Sequence, residues 1–312
     1  MSKISPYLNI NRLEFIITDN CTGRCKHCSF IDRVESPPYG GYNHVLKDKA
    51  VEFIEVLTKH FDIKSVMTFG GEPLLYPEAV SAIHKAAFNC GVNKRQLITN
   101  GYFTKDINRI EEVAVMIKEA EVNDLLLSVD SFHQENIPLK YVKCFAENLC
   151  KLNIPSRISP AWVVNRAFNC DYNAETENIL KEFTLPVGEG NDIFLSGNAI
   201  KYLSEFYEKP KLDLNSKCGE MPYTDRLDNI SSLSLEPNGD VNVCNFVIGN
   251  IYTEDIEEIL CRYNPYENKW MKALTLDGAK GVLRICEDEN INLDLSSARN
   301  VCDICRMINK LK

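Results

Sequence analysis

Six times between residues 13 and 207 a short apolar run gives way to an amphipathic stretch, and this alternation limits the fold more than any other feature. The runs lie at 13–17, 64–69, 96–99, 125–130, 157–164 and 192–196. The intervening stretches, near 46–60, from Pro77, 106–120, 139–152, 175–183 and 198–207, carry helical spacing. In the first of them Ala50, Phe53, Ile54, Leu57 and Phe61 share one face at the 3.6-residue period. Repeated strand–helix units joined by right-handed crossovers predict an α/β fold with a parallel sheet. In such sheets functional groups gather at the C-terminal ends of the strands.

Several polar motifs fall at those ends. The first run leads into Cys21-Thr-Gly-Arg-Cys25-Lys-His-Cys28, spaced C-x3-C-x2-C. Three thiolates on one loop can hold three corners of a [4Fe–4S] cluster, which takes four ligands in full, so one iron stays open. The bland alternative is half of a zinc site, although zinc sites usually pair C-x2-C units. The second run ends in Gly70-Gly71-Glu72-Pro73. The glycines let backbone approach a ligand closely, and Glu72 offers an acceptor for a cationic amine.

Together these two motifs resemble the radical S-adenosylmethionine (SAM) superfamily. The resemblance implies a (β/α)6 partial TIM barrel, with Cys21, Cys25 and Cys28 holding the cluster and the open iron binding the SAM amine and carboxylate. It implies reductive cleavage of SAM to a 5′-deoxyadenosyl radical that abstracts a substrate hydrogen, with an electron donor such as flavodoxin or ferredoxin. The residue before the third cysteine is usually aromatic in the family and packs on adenine; here it is His27. Gly70, Gly71 and Glu72 are SAM-binding candidates, as are Asn100, Ser128 and Asp130, the last two for the ribose. Arg166, or Arg157, could pair with the SAM carboxylate through a bidentate fork. Leu195, with Gly197 and Asn198, could flank adenine. His133 and Glu135, just past the fourth run, are candidates for substrate contact or proton movement, against the alternative of a solvated loop.

Around residue 208 the pattern changes: a charged stretch, Glu208-Lys-Pro-Lys-Leu-Asp213, reads as a linker. A hairpin follows, 231–236 and 240–244 about Asn238-Gly239. Cys218, Cys244, Cys302 and Cys305 suffice for one fully ligated [4Fe–4S] cluster, or for a four-cysteine zinc site. Gly239 and Cys244 with four residues between them, G-x4-C, and the final C-x2-C, resemble the shorter, twitch form of SPASM/twitch auxiliary domains. This implies a radical SAM barrel over 1–208 and a small C-terminal twitch domain with an auxiliary [4Fe–4S] cluster over 209–312. Cys90, Cys144, Cys150, Cys261 and Cys286 read as small core hydrophobes. Cys170 follows the fifth run and is a candidate hydrogen-atom donor, as in some peptide epimerases, though an inert thiol is the simpler reading.

Net charge −9, with no long basic run, argues against nucleic acid or an anionic membrane as partner. No apolar stretch reaches membrane-spanning length, and the N-terminus lacks the h-region of a signal peptide. A cytoplasmic setting follows as the expectation, with reduced thiols available for metal. The resemblance implies epimerisation, crosslinking or oxidation of a peptide. A small-molecule dehydrogenase is the alternative, favoured by a cluster loop that begins at Cys21 and leaves no room for a preceding peptide-recognition domain. A non-catalytic zinc protein is the alternative from another class.

Overall fold

A computed structural model describes residues 3–36, 39–208, 212–221, 224–295 and 298–309. Its frame is a mostly parallel sheet. Strand β1 (Leu8–Ile16) pairs in parallel with β2 (Ser65–Phe69), with Leu13 opposite Val66 and Ile16 opposite Phe69. The sheet continues in parallel through β3 (Lys94–Thr99), β4 (Asp124–Leu127) and β5 (Ser156–Ile158).

The loop after β1 carries α1 (Ile31–Val34), and α2 (Lys47–His60) returns the chain to β2. Ala50, Phe53, Ile54 and Leu57 of α2 are buried, and the Phe53 ring meets Phe15 edge-on at 6.2 Å. Helix α3 (Pro77–Asn89) opens on a proline, tolerated where the first-turn amides have no helical partner. Helix α4 (Ile107–Glu119) starts under an Asp106 carboxylate that accepts from the Asn108 N–H. A single turn, α5 (Ser131–Gln134), follows β4, and α6 (Leu139–Lys151) leads to β5.

Beyond β5 the regular repeat gives way. The fifth run breaks at Ser159-Pro160 into β5 and a two-residue β6 (Ala161–Trp162). Proline has no N–H to give the ladder. Pro160 instead contributes a carbonyl that accepts from Asn191 N at 2.8 Å. After α7 (Asp171–Leu180), the sixth run is only β7 (Asn191–Asp192), paired with β6 in a separate two-stranded parallel sheet. Helix α8 (Asn198–Leu203) then ends in a 3-10 turn. The described residues thus form a five-stranded parallel run with a detached parallel pair in place of six equal units.

The C-terminal third does not stand apart. Strand β8 (Ile230–Leu235) joins β1 in parallel, β9 (Asp240–Val243) and β10 (Phe246–Asn250) follow antiparallel, and one eight-stranded sheet runs β10-β9-β8-β1-β2-β3-β4-β5. Helices α9 (Ile256–Arg262), α10 (Lys269–Leu276), α11 (Ala279–Asp288) and α12 (Val301–Asn309) complete the order. Residues 209–211, at the centre of the expected linker, lie outside the described residues. No described helix is long and apolar enough to cross a membrane.

Candidate active site at the strand ends

The cysteine loop hangs from the C-terminal end of β1 and is held there by backbone. Gly71 N donates to Thr18 O at 2.8 Å, and Glu72 N to Asn20 O at 2.8 Å. A Cβ on Gly71 would lie 2.0 Å from the Asn20 carbonyl oxygen, so only glycine lets the two loops meet. This close approach is to the protein's own backbone. Glu72 is wholly buried and accepts from Leu74 N at 2.9 Å, Thr99 Oγ1 at 2.6 Å and Asn100 N at 2.8 Å. It ties the end of β2 to the end of β3, which occupies the acceptor that the sequence offered to an amine. Burial pushes its carboxyl up to about 7 against the pull of those hydrogen bonds.

Cys21, Cys25 and Cys28 line one cavity of about 260 Å³ together with His27, Gly70, Gly71, Asn100, Ser128 and His133. The loop is clamped from three sides. Asn100 Nδ2 donates to Thr22 Oγ1 at 3.2 Å and reaches Cys21 Sγ at 3.7 Å. Arg24 Nη1 donates to the Cys21 and Gly23 carbonyls. Asn198 donates to the Cys28 carbonyl from its backbone at 3.0 Å and to the Cys25 carbonyl from its side chain at 3.1 Å.

Asp130 is fully buried, and both its oxygens are engaged. Oδ1 accepts from His133 N at 3.0 Å, Oδ2 from Ala161 N at 3.0 Å, and His133 Nδ1 lies within 2.9 Å of both. A ribose diol would have to displace these partners, so Asp130 acts here as the carboxylate that orients His133. Burial opposes its ionisation, yet the adjoining His133 holds its pKa well below the carboxylate range, and Asp130 in turn raises His133. His27 packs against Phe132 and His133 with ring centroids 5.1 and 4.9 Å away, and its buried Nδ1 has no hydrogen-bond partner. Burial drops its pKa to about 4, so the ring is neutral beside the sulphurs.

The remaining candidates separate. Ser128 and His133 line both the thiol cavity and an adjoining one of about 410 Å³. Glu135 pairs with Lys26 at 2.7 Å, half-exposed. Arg157 is bound to Asp124, the first residue of β4, at the opposite end of the sheet. Arg166 pairs with Glu177 at 2.8 Å and lies over the Trp162 ring, lining an outer groove. Cys170 packs with Val163, Phe168 and Tyr172 in a small apolar cluster, as does Leu195. Asn198 and Arg24 were not singled out as anchors of the cysteine loop; only their positions beside a carbonyl-rich turn reveal it.

A second sulphur group assembles from distant segments. Burial, reinforced by the charge of the neighbouring thiols, pushes Cys218 and Cys305 up to about 12, and the same neighbours raise Cys244, which is exposed at the surface. Cys302 is raised as well, chiefly by burial. Asn245 Nδ2 approaches Cys305 Sγ at 3.7 Å, and Cys218 Sγ approaches the Asp225 carbonyl at 3.8 Å. Cys244 was expected to end a strand. It occupies the two-residue bend between β9 and β10, with a φ of 52° that side-chain-bearing residues seldom adopt.

The donor set of the cysteine loop fits the [4Fe–4S] cluster that its spacing implies. Burial pushes the Cys21 thiol up to about 11 and raises Cys25 and Cys28, so only a strongly cationic partner would hold all three as thiolates. A Cβ on Gly23 would sit 3.2 Å from Cys25 Sγ and 3.9 Å from Cys21 Sγ, so the bare glycine keeps open the space the sulphurs share. Among the described residues, the one trio of ligand atoms within 4.8 Å of one another is Cys25, His27 and His133. Neither cysteine set brings three sulphurs that close, whereas four thiolates at ~2.3 Å around zinc would sit ~3.8 Å apart.

Comparison with known proteins agrees with this geometry. A family model described as the radical SAM superfamily matches residues 15–157. The chain carries a radical SAM superfamily domain. That domain holds the thiol loop, the Gly-Gly turn and the ends of β1 to β4. GTP 3',8-cyclase of Desulforamulus reducens is 30% identical over 129 residues, 41% of this chain and 36% of that protein. The Lactiplantibacillus plantarum GTP 3',8-cyclase is 32% identical over 117 residues, 37% of this chain and 32% of that one. The match therefore spans about a third of the length of these relatives. Native anSMEcpe with bound AdoMet shares the α/β fold, with a TM-score of 0.53, 14% identity and coverage of 97% of this chain and 99% of that one. The same protein with AdoMet and the Kp18Cys peptide has a TM-score of 0.50, 14% identity and coverage of 91% and 98%.

Proposed function

We propose that this chain is a radical SAM enzyme that abstracts a hydrogen atom from a peptide substrate. The observation that carries the reading is a wall of three thiols in one cavity with the ends of β2, β3 and β4, held by a loop with no fourth thiol. Cys21, Cys25 and Cys28 would hold a [4Fe–4S] cluster, leaving one iron for SAM. When bound, the cluster supplies the electron that cleaves SAM reductively, so that a 5′-deoxyadenosyl group takes the substrate hydrogen.

The protein's part is placement. The backbone of Gly70 and Gly71 borders the thiols, Asn100 braces Cys21, and Ser128 offers a hydroxyl where the two central cavities meet. Asp130 holds His133 through Nδ1, leaving Nε2 for the cavity side. The His27 ring packs on the buried Phe132 ring beside the loop. Cys218, Cys244, Cys302 and Cys305 would hold a second [4Fe–4S] cluster with every iron capped by protein, suited to electron transfer in a twitch-type unit. The peptide assignment is supported by the shared fold of anSMEcpe, which has been solved with a peptide. A metabolite substrate is the second reading, favoured by the GTP 3',8-cyclase relatives.

The test is anoxic. Protein reconstituted with iron and sulfide should, with dithionite and SAM, release 5′-deoxyadenosine. Zinc in the purified protein with no SAM cleavage would sink the proposal.

A further inference from the structure

The cavity beside Ser128 and His133 does not end at the strand tips. It shares Ile193, Phe194, Ser196 and Arg306 with a larger cavity of about 710 Å³ that reaches α12. Phe194, 58% exposed, stands between the two. Tyr207 and Met221 give the larger cavity an apolar flank, and Arg299 and Arg306 line it where it meets α12.

These two arginines share a single carboxylate. Asp303, buried in the first turn of α12, accepts from Arg299 Nε at 3.3 Å and pairs closely with Arg306 Nη2. A guanidinium carries five N–H donors in a fork. Among the described residues each guanidinium gives one of them to Asp303 and has no further acceptor. The unengaged N–H groups match the paired oxygens of a carboxylate or phosphate, although Glu208 and Asp213 on the same cavity offset the second positive charge. Arg306 is 46% exposed at its side chain and Arg299 14%, so Arg306 faces the cavity and Arg299 backs it.

We infer that Arg306, supported by Arg299, forms an anion subsite that selects the substrate. A carboxylate or phosphate docks on the guanidiniums while the reacting carbon extends past Phe194 toward Ser128 and His133. This deepens the proposed hydrogen abstraction and rests on it for which end of the substrate reacts. The anion could be an acidic side chain or a phosphorylated group; the shared chemistry is the two-oxygen face that the fork recognises. Glu208 and Asp213 line the same cavity and weaken an anion's hold, which makes Glu208 an informative control.

The test is calorimetric titration of the full, anoxically reconstituted chain, first with SAM and then, separately, with inorganic phosphate and glutarate. Saturable binding of either anion is expected, with phosphate preferred for a phosphorylated substrate and glutarate for a carboxylate one. Arg306→Gln should weaken that binding about tenfold or more, the loss of a charge-assisted pair. Arg306→Lys, which keeps the charge and loses the fork, should fall between the two. Glu208→Gln should tighten binding roughly twofold, as expected for an exposed like charge. SAM affinity should stay constant across the series, and the variants are compared at equal iron content because Arg306 adjoins Cys305 and Cys302 lines the same cavity. The subsite is overturned if the wild type binds neither anion, or if Arg306→Gln binds as the wild type does. Anion binding that persists in a protein unable to bind SAM would count against the radical reaction and leave the subsite standing.

Discussion

The two sulphur groups are built in opposite ways. Cys21, Cys25 and Cys28 occupy eight consecutive residues on one loop, anchored at its base by Gly71 and Glu72 and over its top by Asn198. Cys218, Cys244, Cys302 and Cys305 come from three segments that only the folded C-terminal third brings together. A local set loses little chain entropy when it closes on a metal. A dispersed set closes long loops, so its assembly depends on the packing of β8, β9 and α12. The local set has three thiols facing a cavity; the dispersed set has four.

That contrast can be broken most sharply at Cys25. Cys25→Ala should remove 5′-deoxyadenosine formation entirely while leaving the fold as judged by circular dichroism. Substitution in the dispersed set should behave differently. Cys244→Ala is expected to lose about half of the bound iron, to retain SAM cleavage and to slow substrate turnover; abolition of cleavage would mean that the two sites are not separable in role.

A smaller effect sharpens the anchoring of the local loop. Glu72→Gln should cost about 1–3 kcal/mol of stability, because one face of the amide meets the Asn100 or Leu74 N–H with a donor. It should also flatten the pH dependence. Burial raises the folded carboxyl from 4.5 to about 7, so between these values the folded state binds more protons than the unfolded one. Wild-type stability should therefore fall as pH rises through that window, and urea midpoints at pH 5 and pH 8 would show it. Asn198→Ala, which removes the side-chain contact to the Cys25 carbonyl, should cost about 1 kcal/mol and speed cluster loss in air, read from the decay of visible absorbance. The least effect is expected from Arg33→Ala. Arg33 bridges Asp19, before the thiol loop, and Glu236, on the hairpin of the dispersed set, but its side chain is about one-third exposed. Its loss should change the melting free energy by less than about 1 kcal/mol.

Much of this was legible in local pattern. The helical face Ala50, Phe53, Ile54 and Leu57 is buried as its spacing required, and the strand-end position of the thiol loop, the Gly-Gly turn, Asn100 and Ser128 followed from the alternation. Three features were not legible. Pro160 ended the fifth run early, because it has no N–H to give the ladder, and its carbonyl accepts from Asn191 N. Asp130 turned inward to His133 and Ala161 N, and Glu72 to Thr99 and Asn100, so two carboxylates read as cofactor contacts hold the scaffold. Cys244 became a hairpin tip, since nothing in a single strand's pattern states where its partner turns back.

By itself the amino-acid order determined the spacing of the first three thiols and the period of each element, because both are properties of near neighbours along the chain. The folded structure alone decided that β8 would extend the parallel sheet at β1, that four scattered cysteines would converge, and that Arg306 would reach the cavity over the strand ends. Those outcomes depend on contacts between residues hundreds of positions apart. The free energy that selects them comes from burial and charge pairing across the whole core, which no local run of residues records.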